Sequence, residues 1–61
     1  MKAIRQRNGV RKEFVMEANP PSRRIYVLAH PGDEDYCMEH YRLTHVVDKT
    51  AYYQFTKETP V

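Results

Sequence analysis

The dipeptide Asn8-Gly9 restricts the local backbone more than any other part of this sequence. A two-residue type I′ turn needs positive φ at both central residues, and Asn-Gly adopts that conformation at little cost. We therefore predict a β-hairpin over residues 2–17, with strands at 2–7 and 10–17.

The register set by this turn distributes the side chains of the hairpin. A two-residue turn places Ala3 opposite Phe14, and Met1 opposite Met16. The base of the hairpin is therefore expected to be buried. The same side continues toward the turn with cationic residues, which predicts a basic tip in solvent: Arg5, Arg7 and Lys12.

A strand is predicted at residues 24–30, after Pro20 and Pro21 end any earlier regular element. Its side chains are apolar on both sides, with Ile25, Val27 and Ala29 on one side and Tyr26 and Leu28 on the other. Strands buried on both faces have this pattern, so a central position in the sheet is expected.

A second hairpin is predicted over residues 41–57, with Asp48, Lys49 and Thr50 as its loop. The alternation of apolar and polar residues is that of a half-buried antiparallel pair. The expected cross-strand partners are Val47 with Ala51, His45 with Tyr53, and Leu43 with Phe55.

The sequence of residues 30–40, between these elements, predicts a turn followed by a short helix. Pro31 and Gly32 suit the middle of a type II turn over residues 30–33, and Asp33 could cap a helix. One short helix is expected near residues 34–40, although strand spacing fits the same residues nearly as well.

These elements predict one small domain over residues 1–61, in the α+β or mainly β class. The expected architecture is a small curved antiparallel sheet built from two β-hairpins (2–17 and 41–57) plus the strand at 24–30, with at most one short helix. Chains of this size bury little surface and often need a disulfide, a metal or a partner. Cys37 is the only cysteine, which excludes an internal disulfide and leaves a packed core, a metal or another subunit.

The charge is unevenly divided along the chain. Residues 1–30 hold seven basic residues and two acids, a formal charge of +5, whereas residues 31–61 hold three basic residues and six acids, a formal charge of −3. Such asymmetry favours a nucleic-acid or acidic-protein partner, or head-to-tail docking of two copies. It is equally compatible with charges that cancel across one folded surface.

Four residues have side chains that a zinc ion prefers: His30, Cys37, His40 and His45. Their spacing lacks the paired Cys-x-x-Cys or His-x-His arrangement of common zinc modules. Cys37 could instead be a small core residue, and His45 could bond to a tyrosine. No cofactor is therefore expected, and a zinc-stabilised module ranks third among the functional interpretations.

A catalytic cysteine is the enzymatic interpretation of Cys37. Its acidic neighbours Asp33, Glu34 and Glu39 would raise the pKa of the thiol and oppose a reactive thiolate. With two glycines, the chain also has no glycine-rich phosphate-binding loop. We therefore expect a protein that is not an enzyme.

Five tyrosines exceed what so small a core can use, and tyrosine and arginine are enriched at interface centres. The sequence therefore predicts a small non-catalytic binding or regulatory protein that docks on a protein partner, in the manner of a phage- or mobile-element-encoded inhibitor of a host factor. A homodimer through the edges of strands 24–30 or 51–57 is a further expectation. The alternative is nucleic-acid binding by the basic hairpin. The candidate binding residues are Arg5, Arg7, Arg11, Lys12, Arg23, Arg24, Tyr26 and Tyr52.

The longest apolar run is residues 26–29, far shorter than the roughly 20 residues that span a bilayer. The first seven residues alternate between charged and apolar and do not resemble a signal peptide. Together with a single unpaired thiol, this predicts a cytoplasmic protein with no membrane partner.

Overall fold

The structure is a computed structural model that describes residues 1–30, 32 and 35–61. It contains five β-strands: β1 (Lys2–Arg7), β2 (Val10–Val15), β3 (Arg24–Ala29), β4 (Cys37–Val47) and β5 (Thr50–Pro60). All five belong to one curled sheet in the order β2-β1-β5-β4-β3. The mainly β alternative of the predicted fold class is confirmed.

The first hairpin forms around the predicted turn. Asn8 and Gly9 have φ values of 50° and 78°, so both adopt the positive φ that a type I′ turn requires. Ala3 lies opposite Phe14, and the Met16 amide donates to the carbonyl of Met1, which confirms the predicted register. β2 ends at Val15, two residues before the predicted end of the strand.

The second hairpin also forms, but its predicted loop and register are wrong. Its turn has two residues, since Asp48 and Lys49 both have positive φ and Thr50 already pairs with Val47. A shift of one residue moves every side chain of a strand to the other face. As a result, His45 lies opposite Tyr52 rather than Tyr53.

Two register irregularities interrupt the pairing of β4 with β5. The extra residue is Thr44 on β4 and Thr56 on β5, neither of which has a direct partner across the ladder. Each threonine hydroxyl donates to a carbonyl of the opposite strand: Thr44 to Tyr52 and Thr56 to His40, both at 3.1 Å. The side chain of each bulged threonine therefore supplies a hydrogen-bond donor at the point where the backbone ladder is interrupted.

The predicted helix near 34–40 is wrong where the structure describes it. Residues 37–40 belong to β4, and residues 35 and 36 have no regular structure. Met38 pairs with Leu28 on one side and Thr59 on the other, and this two-sided pairing outweighs the weak local preference for a helix. Pro31, Asp33 and Glu34 lie outside the described residues, and with them most of the predicted type II turn and the Asp33 cap.

The expectation of a purely antiparallel sheet is also wrong, because β1 and β5 run parallel, with Ala3 beside Ala51. This pairing makes β5 the central strand and covers residues 50–54 of it, so most of the predicted edge at residues 51–57 is not open to a second copy. β3 is an edge strand rather than a central one. Its inner residues Ile25 and Val27 pack on the core, whereas Tyr26 and Leu28 are exposed on the opposite face.

The core lies on one face of the sheet, here called the core face. Its buried residues are Ala3, Met16, Tyr41, Ala51 and Tyr53. The connector between β2 and β3 contacts this face, where the Tyr53 hydroxyl donates to the carbonyl of Ser22. Burial raises the pKa of Tyr53, which keeps the phenol protonated as a donor.

We expect Tyr53→Phe to lower the free energy of unfolding by about 1 kcal/mol, because the Ser22 carbonyl loses its donor. In a domain of this size that loss corresponds to a fall of about 4–8 °C in Tm, measured by circular dichroism. Tyr36→Phe is the control, since the Tyr36 ring is exposed and stacks on His30. Equal Tm values for the two variants would contradict the assigned hydrogen bond.

Candidate functional site

An ion cluster on the core face connects the first hairpin to β4 and β5. Arg5 donates to Oε1 of Glu39 at 3.3 Å, and Arg7 donates to Oε2 of the same carboxylate. Arg7 also donates to Glu58 at 3.1 Å, and its guanidinium lies 4.1 Å from the centroid of the Phe55 ring. The cluster therefore holds the tip of the hairpin against the long strands.

The protonation states of this cluster favour its charged form. Partial burial opposes ionisation of Glu39, but hydrogen bonds from Arg7 and Tyr41 and the nearby positive charges outweigh it, so the pKa of Glu39 is lowered. The hydrogen bond to Glu39 raises the pKa of Arg7 despite some desolvation. The expectation that Arg5 and Arg7 project into solvent as a basic tip is therefore wrong, since both are half-buried and paired with carboxylates.

The opposite face of the sheet carries a group of cations that form no ion pair with the residues that the structure describes. Register places Arg24 beside Arg42, and Tyr26 beside His40, which in turn lies beside Lys57. We call this group the basic face: Arg24, Tyr26, His40, Arg42 and Lys57. The row of Arg24 and Arg42 continues across the sheet through Gln54 and Gln6 to Arg11. Four strand spacings make this row about 19 Å long.

The basic face concentrates positive charge on an open surface. Arg24, Arg42 and Lys57 are all exposed, and the ion pairs in the described residues involve none of them. They border a depression of about 270 Å³ that Tyr26 and His40 also line. These two rings meet edge to face with centroids 5.0 Å apart. The basic face therefore places three exposed cations, which attract anions, beside the exposed ring of Tyr26.

The structure gathers only part of the predicted binding set on one surface. Arg24 and Tyr26 lie on the basic face, Arg11 ends its long row, and Arg23 borders an adjacent depression with Arg42 and His45. Tyr52 shares this side of the sheet and stacks on His45 with centroids 4.5 Å apart. Lys12 faces the other way, lining a cleft on the core face with Arg5 and Arg7.

Sequence reasoning missed Arg42, Lys57 and His40 as members of this surface. They lie in the half of the chain whose formal charge is negative, so the count of basic residues in that half does not indicate a basic surface. Only the pairing of β3, β4 and β5 brings them beside Arg24 and Tyr26. Alternation along β4 could have placed His40 and Arg42 on one face, but it does not show which strand lies next to them.

The four metal candidates have separate partners. His30 stacks on Tyr36, His45 stacks on Tyr52, and His40 is hydrogen-bonded to the Thr59 hydroxyl at 2.9 Å. Cys37 and His40 would share a face on a helix, but on strand β4 they point to opposite faces. Within residues 1–30, 32 and 35–61, no group of three or more His, Cys, Asp or Glu side chains is arranged to hold a metal ion.

The Cys37 thiol contacts the ion cluster at its outer end, where it donates to Glu58 at 3.7 Å. Desolvation raises the pKa of Cys37, and the charges of Glu58 and Glu39 raise it further. The thiol is thus held in its protonated form, which is the weaker nucleophile.

No family model matches the chain, and neither a curated protein nor a solved structure matches it. Among the residues that the structure describes, no helix is long and apolar enough to cross a membrane.

We expect Glu39→Gln to lower the free energy of unfolding near neutral pH by about 2 kcal/mol, because Arg5 and Arg7 lose a charged acceptor. The pKa of Glu39 is lowered from 4.5 in the folded state. Its contribution is therefore present above about pH 4.5 and is lost as pH falls through the folded-state pKa. Urea denaturation at several pH values should show the wild type and the variant converging in acid.

Glu13→Gln is the matched control for this measurement. Glu13 pairs with Lys2 at 3.1 Å, but both side chains are more than half exposed. Exposed pairs contribute about 0–1 kcal/mol, so this variant should remain close to the wild type at every pH. A loss in Glu13→Gln as large as that in Glu39→Gln would contradict the role assigned to the ion cluster.

Proposed function

We propose that this protein binds single-stranded nucleic acid with its basic face. The observation that carries the proposal is the direct cross-strand pairing of Arg24 with Arg42, beside the exposed Tyr26 and without a paired carboxylate in the described residues.

Like charges directly opposite one another destabilise a sheet. The chain places Arg24 and Arg42 in such a pair and adds Lys57 in the next row, whereas it compensates Arg5 and Arg7 with Glu39. A bound phosphate backbone would remove the repulsion on the basic face. Phosphate contacts by arginine and lysine supply most of the affinity of proteins that bind nucleic acid without sequence preference.

The aromatic residues favour a single strand over a duplex. Tyr26 is 57% exposed at the centre of the basic face, and the stacked pair of Tyr52 and His45 lies on the same side of the sheet. Proteins that bind single strands combine a cationic surface with aromatic rings on which bases stack. Recognition of a duplex by the first hairpin has less support, since Arg5 and Arg7 are held in the ion cluster.

A second candidate function is docking on a protein partner. The observation that favours it is the edge strand β3, which exposes Tyr26 and Leu28 beside a backbone edge that no strand of the described residues pairs with. An extended segment of another protein could add a strand there. A phage- or mobile-element-encoded inhibitor that blocks a host factor would act by this kind of contact.

The first test of nucleic-acid binding is charge removal at Arg42. We expect Arg42→Gln to weaken the binding of a fluorescent oligothymidylate several-fold in an anisotropy titration. Three phosphate contacts give a slope of about −2 for log K against log salt, and loss of one contact should reduce its magnitude by about 0.7.

The matched control is Lys12→Gln, which removes the same charge from the opposite face of the sheet. It should leave both the affinity and the salt slope close to those of the wild type. Equal weakening by the two variants would show attraction by net charge alone. No binding at low salt by the wild type would refute the proposed function, and tighter binding of a duplex would reverse the preference for single strands.

The second test concerns base stacking. We expect Tyr26→Ala to lower oligothymidylate affinity by about 1–3 kcal/mol, the range for loss of one stacked base. Tyr36→Ala is the control, because Tyr36 is similarly exposed but precedes β4, outside the basic face. The oligonucleotide should quench tyrosine fluorescence to the same extent in the wild type and in Tyr36→Ala. Part of this quenching should be lost in Tyr26→Ala. Unchanged affinity of this variant would exclude stacking on Tyr26.

A further inference from the structure

The two edge strands of the sheet differ in how well they are protected against pairing with another chain. β2 has the sequence VRKEFV, with three consecutive charged residues, and Lys12 among them points to the core face. Inward-pointing charges and lysines are the features that keep edge strands from pairing. β3 has the sequence RIYVLA, with a single charge at its first residue. β3 therefore has an edge that another strand can join.

The molecule also exposes more surface than its mass requires. Its accessible surface is 4809 Å², whereas a compact monomer of 7.3 kDa has about 4,200 Å². Its radius of gyration is 12.0 Å, against about 10.5 Å for a compact chain of this length. The thin sheet therefore leaves about 600 Å² more surface open to a partner than a compact chain of this mass would.

The strand that best complements β3 is a second β3. A joining strand must be apolar on both faces, since β3 presents Tyr26 and Leu28 on one face and Ile25 and Val27 on the other. Antiparallel pairing of two β3 strands meets this requirement. It also separates the two copies of Arg24 to opposite ends, whereas parallel pairing would place them side by side. We infer that two copies of this chain associate through antiparallel β3 strands.

This pairing determines how the two basic faces are related. Antiparallel copies of one strand are related by a two-fold axis perpendicular to the sheet, and the interface is isologous. Such an axis keeps equivalent faces on the same side. The ten-stranded sheet then carries one continuous basic face, to which each copy contributes Arg24, Tyr26 and Arg42. The pairing stands on the edge and surface observations, and only its use for one long nucleic-acid site rests on the proposed function.

The test is the molar mass in solution, measured by sedimentation equilibrium from low micromolar to near-millimolar concentration. The wild type should reach twice the monomer mass of 7.3 kDa. Leu28→Lys places two like charges within the paired edges, and it should raise the dissociation constant by at least about tenfold, a difference of 1.4 kcal/mol. Leu28 is 55% exposed, so the variant should keep its fold, which circular dichroism checks.

Val15→Lys is the matched control, because Val15 is an exposed apolar residue on the other edge strand, β2. It should leave the dimer intact. A wild type that stays monomeric at every concentration overturns the inference and leaves the β3 edge to a different protein. Dissociation of Val15→Lys to the same extent as Leu28→Lys also overturns it, because β3 would not be the specific interface.

The same variants separate this inference from the proposed function. If both are right, Leu28→Lys binds a short oligothymidylate at least as tightly as the wild type, because the new lysine adds a cation on the side of the sheet that carries Tyr26. It nevertheless loses the further gain in affinity that the wild type shows for an oligothymidylate long enough to reach both copies. A wild-type dimer that binds no oligonucleotide refutes the proposed function and leaves the pairing in place. A monomer that binds the oligonucleotide refutes the pairing and leaves the proposed function in place.

Discussion

The parallel pairing of β1 with β5 is the contact on which the rest of the structure depends. It joins the two hairpins into one sheet, and the buried Ala3 and Ala51 lie side by side at this junction. Small side chains there leave room for the larger Tyr53 and Tyr41 to fill the core. Because β5 becomes the central strand, β2 and β3 become the edges, and the arginines of β1 come within reach of Glu39 on β4.

In the folded chain, the basic residues of the first half of the sequence meet different charges on the two faces of the sheet. On the core face, acids from the second half neutralise arginines from the first half, as Arg7 shows with Glu39 and Glu58. On the other face, cations from both halves meet one another, as Arg24 does with Arg42. The surface proposed to bind nucleic acid is therefore not formed by the most basic segment of the sequence alone.

Local features of the sequence predicted local structure well. Asn8-Gly9 fixed the turn and register of the first hairpin, because its backbone preference needs no distant partner. The parallel pair, the edge position of β3 and the loss of the helix at 37–40 all depend on contacts between distant residues. The basic face was not predictable for the same reason. Arg24 and Arg42 become neighbours only through a register that alternation along a single strand does not determine.

The bulge at Thr56 decides which charge lies on which side of the sheet. With this extra residue, Phe55 and Glu58 share the core face, and Lys57 faces outward beside His40. Regular alternation through Thr56, without the bulge, would exchange the positions of Lys57 and Glu58. Glu58 would then lie on the basic face among the cations. Lys57 would lie on the core face, in place of the carboxylate that Arg7 contacts. The irregularity at one residue thus determines the charges of both surfaces of the sheet at once.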